Sequence, residues 1–157
     1  MNVKLSASQK VKIANASDIY PIMQQILLRE NKLRRAQEHF WVVGLNNNNT
    51  ILFIELISLG ASNRVGVDPP EIFRMAIYKL ATKVIFVHNH PSGNTDISDP
   101  DKSLTKQLMV AGKLLKIKVL DHLIISETDF KSFQEEGIMK KLDKEMTELL
   151  KKISIEK

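Results

Sequence analysis

Two histidines, His88 and His90, stand one residue apart in the run His88-Asn89-His90-Pro91-Ser92-Gly93. They follow Val84-Ile85-Phe86-Val87, an apolar stretch without alternation, which is the pattern of a strand covered on both faces. Residues i and i+2 of an extended chain point to the same side, so both imidazoles converge on one point and Asn89 faces away. The C-terminal end of a sheet strand is also where α/β folds place ligands. Eleven residues after His90 comes Asp101, in Ser98-Asp99-Pro100-Asp101, a Ser-x-x-Asp helix start with the acid on the first turn. The seven residues from Pro91 to Ile97 are enough chain to fold back and carry that helix end to the histidines. Two neutral imidazoles and one carboxylate would give a zinc ion three protein ligands and an open position for water. Such an ion lowers the pKa of its water to about 7, making hydroxide available near neutrality.

A base that takes the water's proton should not itself be a ligand. Glu38, just before Phe40-Trp41-Val42-Val43, competes for this role with Glu55 and Glu71. Glu71 also reads as an ordinary first-turn helix acid. Ser98 is a helix N-cap by its surroundings, and its hydroxyl is a candidate donor to the oxyanion of a tetrahedral intermediate. His122, beside Asp121 on an apolar stretch, reads as a hydrogen-bonded structural histidine rather than a fourth ligand. The tripeptide His-Asn-His is not the arrangement of the nucleases that share its letters, which disperse their histidines over a ββα unit. No His-Glu-x-x-His helix occurs. Cysteine is absent, which excludes disulfides, a thiol nucleophile, Cys-ligated zinc and the deaminases built on Pro-Cys-x-x-Cys.

The spacing His-x-His, seven residues, Ser, two residues, Asp resembles the metal motif of the JAMM (MPN-type) metalloproteases. The wording of residues 88–93 is similar to that of their bacterial RadC-like JAB branch. The resemblance runs backward to Glu38-His39-Phe40-Trp41 and forward through Leu120-Asp121-His122-Leu123-Ile124-Ile125, roughly residues 17–137. It implies His88, His90 and Asp101 as ligands of one zinc per chain, Glu38 as general base and Ser98 as the oxyanion-stabilising hydroxyl. It also implies a cytidine deaminase-like fold and a peptide or isopeptide substrate. Where the branch has His-Pro-Arg-Glu, this chain has Asp68-Pro69-Pro70-Glu71, so the basic residue of that stretch has no counterpart. Full-length members carry a helix-hairpin-helix module before this domain. About 16 residues precede the first helix here, so that module is not expected in this chain.

The elements that must position these residues are legible in outline. Ser17-Asp18 opens a helix with Ile19, Ile22, Met23, Ile26 and Leu27 on one face, and Pro21 in its first turn costs little. Residues 40–43 and 51–54 read as an antiparallel hairpin around Asn46-Asn47-Asn48-Asn49, a tetrad suited to positive φ. Asp68 caps a second helix with Pro69 at its first position and Ile72, Phe73, Ala76, Ile77 and Leu80 facing inward. A third helix from Ser98 carries Leu104, Leu108, Ala111 and Leu115, and Val119 to Ile125 is a further strand. From Ile138, the residues Leu142, Met146, Leu149 and Ile153 line a final amphipathic helix. The order predicts an α/β chain, a single-domain three-layer α/β/α sandwich with a mixed sheet. It divides into an extension over residues 1–16, the domain over 17–137 and the C-terminal helix over 138–157.

The 157 residues match one domain, and 43% apolar with 26% charged residues is ordinary globular composition. No apolar run approaches the ~18 residues of a membrane helix. Met1 to Lys10 has no apolar signal core, and a cytoplasmic protein is expected. The net charge of +5 is uneven: residues 1–37 hold seven Lys/Arg against two acids, whereas residues 38–137 hold ten against twelve. Lys32, Arg34 and Arg35 are therefore the candidates for phosphate contacts. They read better as a solvated helix end, and nucleic acid is not the favoured partner. Met139 and Met146 are expected to pack on their own domain, with a homodimer contact as the alternative. The leading function is a zinc-dependent amide or isopeptide hydrolase. Its rival is a catalytically silent JAB module that acts as a DNA-associated or assembly partner.

Overall fold

The most apolar runs of the chain become the middle of a sheet. In the computed structural model, which describes residues 1–60 and 67–155, the strands are β1 (Glu38–Leu45), β2 (Ile51–Gly60), β3 (Lys83–Asn89), β4 (Lys118–Ile125) and β5 (Phe130–Ser132). Their order is β2-β1-β3-β4-β5. The sheet is mixed: β3 and β4 are parallel, and β1 pairs antiparallel with both β2 and β3. The β1–β2 hairpin turns on the asparagine tetrad for a local reason. Asn46 Oδ1 accepts the N–H groups of Asn48 and Thr50, at 2.9 and 3.0 Å, and Asn49 takes the positive φ of 61° that this residue type tolerates. Gly44 faces Phe53 across the hairpin, and the Phe53 ring fills the space where a Cβ would stand.

Helices cover both faces. On one lies α1 (Ile19–Leu28), whose Ile19, Met23, Ile26 and Leu27 meet Trp41, Val43, Ile85 and Val87. A four-residue helix, α2 (Lys32–Arg35), follows it. The other face holds α3 (Pro69–Tyr78), α4 (Asp99–Leu115) and α5 (Ile138–Ile155). These pack on Phe40, Val42, Val84, Phe86 and Ile124. The result is an α/β three-layer sandwich with a mixed sheet between two layers of helices. The segment before α1 runs back along the open edge of β2, with bridges Asn2↔Glu55 and Lys12↔Thr50 that occupy a strand edge otherwise free to pair. The last two residues assigned to the C-terminal helix lie outside the described residues. Among the described residues, no helix is long and apolar enough to cross a membrane.

Several helix faces differ from those expected. Ile77 and Leu80 are exposed: α3 ends at Tyr78, and Leu80 at φ 63° swings outward so that Ala81 enters the core instead. On α4 the buried line is Asp101, Thr105, Leu108, Met109 and Gly112, and Leu115 is outside it. Two of those five residues are polar because this helix faces the site. Leu149 and Ile153 of α5 are exposed, while Met139, Leu142 and Met146 are buried.

Candidate metal centre

Strand alternation sets which side chains can meet. Phe40 lies opposite His88 in the β1–β3 ladder. Glu38 follows the parity of Phe40 and Val42, and His88 that of Val84 and Phe86, so all face the layer of α3, α4 and α5. Beyond His88 the chain stays with β4, His90 N–H donating to Ile125 O at 2.9 Å. It then turns at His90-Pro91-Ser92-Gly93, where Gly93 N–H donates to His90 O at 3.0 Å and Gly93 adopts φ 88°, a conformation glycine takes without strain. The turn brings Asn94 O within 2.8 Å of His90 Nδ1. A carbonyl only accepts, so Nδ1 is the donor here and Nε2 is the nitrogen turned toward Asp101. Lys131 on β5 ties the same loop down through Asp96, at 3.0 Å.

Helix α4 delivers Asp101. Ser98 Oγ accepts Asp101 N–H at 3.2 Å while Asp101 Oδ2 accepts Ser98 N–H at 3.1 Å, a reciprocal capping box that fixes the carboxylate. Asp101 Oδ1 stands 3.4 Å from His88 Nδ1, and Oδ2 stands 3.5 Å from His90 Nε2. Glu38 Oε2 is 3.5 Å from His88 Nε2. These separations exceed the usual N–H···O range of about 2.7–3.2 Å. They approach the ~3.3 Å between two ligand atoms bound tetrahedrally at about 2.0–2.1 Å from one ion. Ligand atoms of Glu38, His88 and His90 all lie within 4.8 Å of one another, so these three can hold a metal ion. Asp101 meets the other nitrogen of His88 and closes on His90. Imidazole nitrogens with carboxylate oxygens form a donor set that fits a first-row divalent ion.

The two acids are held differently. Asp101 is fully buried, whereas the Glu38 side chain is 18% exposed. Burial alone would raise the Asp101 carboxyl. The His88 and His90 rings beside it and the hydrogen bond from Ser98 outweigh burial and keep the group well below the usual carboxylate range. Behind Asp101, Thr105 Oγ1 donates to Asp101 O at 2.8 Å and lies 2.6 Å from His122 Nδ1. His122 is fully buried, stacks on Phe133 with ring centroids 4.6 Å apart, and lies 6.4 Å from the His88 ring.

The structure thus brings together Glu38, His88, His90 and Asp101, with Ser98 joined to them through Asp101. The other two acids lie elsewhere. Glu55 pairs with Lys79 at 2.6 Å and with the Met1 ammonium at 3.0 Å, and Glu71 is exposed on the first turn of α3. Arg34 and Arg35 pair with Glu30 and Glu127, at 2.8 and 2.5 Å. Thr105 did not stand out in the sequence, although its place one turn after Asp101 puts both on one helix face. Asn89, which faces away from the site, has partners that the sequence pattern did not reveal.

A family model described as RadC-like JAB domain matches residues 13–138. The chain belongs to the RadC-like JAB domain family. It is similar to a UPF0758 protein of Chlorobium chlorochromatii (strain CaD3), 40% identical over 134 residues, which are 85% of this chain and 58% of that one. It is 47% identical over 111 residues to a UPF0758 protein of Caldanaerobacter subterraneus subsp. tengcongensis, covering 71% of this chain and 48% of the relative. A UPF0758 protein of Methanosarcina mazei is 39% identical over 131 residues, 83% of this chain and 55% of its own length. The chain therefore spans about half the length of these curated relatives. The RadC-like JAB match encloses every residue of the candidate centre, from Glu38 to Asp101.

Proposed function

We propose that this RadC-like JAB domain is a metal-dependent hydrolase of amide or isopeptide bonds, with zinc held by His88, His90 and Asp101. The observation that supports the reading is that the one buried Asp101 carboxylate meets both imidazoles, His88 Nδ1 at 3.4 Å and His90 Nε2 at 3.5 Å. When bound, the ion supplies Lewis acidity that brings a water close to ionisation near neutral pH. Asp101 suits a ligand because it is fully buried, ionised and locked by the first turn of α4. Glu38 suits a base. Its side chain is partly exposed at the start of β1, where it can take a proton from water and hand it to a leaving amine. Ser98 Oγ accepts from Asp101 N–H and has its own O–H to offer a substrate oxygen that gains negative charge. The ion pairs of Arg34 and Arg35 favour this reading over a nucleic-acid-associated module, since each cation already has an acid partner.

The test is a screen of peptide and isopeptide substrates with zinc-loaded protein, repeated with Glu38→Gln. Cleavage that requires zinc and fails in Glu38→Gln supports the proposal. Zinc-loaded protein that cleaves no member of either class, while binding an acidic or nucleic-acid partner, favours the silent module.

A further inference from the structure

Asn89 is 1% exposed and belongs to the face of β3 opposite the candidate centre, beside α1. A buried carboxamide costs free energy unless its donor and acceptor are both used. Asn89 uses both on the backbone of β1. Its Oδ1 accepts His39 N–H at 2.5 Å, and its Nδ2 donates to Gln37 O at 3.1 Å. Those two peptide groups flank Glu38. The β1–β3 ladder ends at Phe40↔His88, because β3 remains beside β4 through Asn89↔Ile125 while β1 diverges. The Asn89 side chain therefore takes the place of the next rung, imitating a peptide group across the gap. His39 reinforces the same point: its Nδ1 lies 2.9 Å from Gln37 O, and its ring stacks on Trp41 with centroids 4.8 Å apart. On the far side, Glu38 is paired with Gly60 of β2.

We infer that Asn89 is a positioning residue that fixes the backbone on both sides of Glu38 and so aims its carboxylate at His88. One residue of β3 then separates two tasks. His88 and His90 face the centre, and the asparagine between them clamps, through the sheet, the strand that carries the acid. The inference rests on Glu38 acting at this site, but it concerns this chain's own geometry and is measurable without turnover. Asparagine suits the position because it pairs an acceptor with a donor. Aspartate keeps the acceptor for His39 N–H and sets a second acceptor against Gln37 O.

The test follows amide hydrogen exchange at His39 and Val43, and the 13C resonance of the Glu38 carboxylate, in the full metal-free chain. In Asn89→Ala, exchange at His39 should rise at least tenfold with Val43 unchanged, and the Glu38 resonance should move toward that of a solvated glutamate. In Asn89→Asp, the His39 amide should stay protected while the Glu38 resonance still moves; this variant decides if Asn89→Ala fails to fold. Added Zn²⁺ should bind Asn89→Asp within threefold of wild type, because β4 holds His90 independently. An unmoved Glu38 resonance overturns the proposal. So does exchange that rises equally at His39 and Val43, which would make Asn89 a general sheet contact. Absence of Zn²⁺ binding by the wild-type chain would contradict the metal reading and leave the clamp to be judged by the two metal-free signals.

Discussion

Asp101 and Glu38 present the same functional group to the same imidazole under different constraints. Asp101 is tied by its own helix cap, by Thr105 through its carbonyl and by complete burial. It has no freedom to accept a proton from water and release it elsewhere. Glu38 lies at a strand start with part of its side chain in solvent. Glu38→Gln retains shape and hydrogen-bonding capacity but cannot accept a proton. Zinc occupancy should therefore persist while turnover falls on the order of 10²–10⁴-fold, the usual contribution of a positioned acid or base. Glu71→Gln should leave turnover unchanged, since that acid is exposed on the first turn of α3 and, among the described residues, is not one of the group that can hold a metal ion. Steady-state rates on zinc-loaded protein check both. At this scale the sequence was informative because residue type and spacing are local signals: His88, His90 and Asp101 stood out in the chain, and the structure brings them together. Asn89 was not legible, because its two partners are 50 and 52 residues away in the chain and leave no local signature.

At the scale of elements, strand β4 and the short β5 are joined by a buried acid that the sequence did not explain. Asp121 Oδ1 accepts the N–H groups of His122 and Gln134, at 2.7 and 2.9 Å, and its other oxygen accepts from Ser132 Oγ. Burial raises the Asp121 carboxyl above its usual range, with those three hydrogen bonds pulling the other way. A raised folded pKa means that stability from this group is present below the unfolded value of about 3.9 and is lost as pH rises through the folded value. Asparagine can accept both N–H groups on its carbonyl and donate to Ser132, so it satisfies the same partners without the buried charge. Asp121→Asn should therefore gain in stability relative to wild type as pH increases from about 4 toward neutrality. Asp121→Ala should lose about 1–3 kcal/mol for each donor left unsatisfied. Urea melts across that pH range distinguish the two. Strand β5 itself was missed because three residues give no periodicity to read. Helix α4 was placed correctly and its face misjudged, because Asp101 and Thr105 break the apolar stripe on the side that faces the centre.

Across the whole molecule, the +5 charge does not describe the site. The cationic surplus belongs to residues 1–37, whereas residues 38–137, which carry the centre, hold more acids than bases. Within the first group, Arg34 and Arg35 are engaged by Glu30 and Glu127, leaving Lys32 as the exposed member of that cluster. Duplex DNA should therefore bind weakly, with an affinity that falls steeply between about 50 and 200 mM salt as counterion release becomes less favourable. Fluorescence anisotropy across that salt range measures this. Tight binding at physiological salt that disappears when Lys32, Arg34 and Arg35 become Gln would reverse the ranking of the two functions. The three-layer architecture was legible because the order of apolar runs allowed few topologies. The covering of the β2 edge by residues 1–13 was not, since a bridge of this kind depends on backbone groups rather than side chains.

The assignment of three ligands and one base is tested most directly by zinc stoichiometry across a small set of variants, measured on protein dialysed against excess zinc. Wild type should retain about one zinc per chain, as expected for a centre with three protein ligands. His88→Ala, His90→Ala and Asp101→Ala should each lose most of it. Glu38→Gln should match wild type. Full occupancy in Asp101→Ala together with loss in Glu38→Gln would contradict the account, making the ligand set Glu38, His88 and His90 and leaving Asp101 as a buried partner of the histidines.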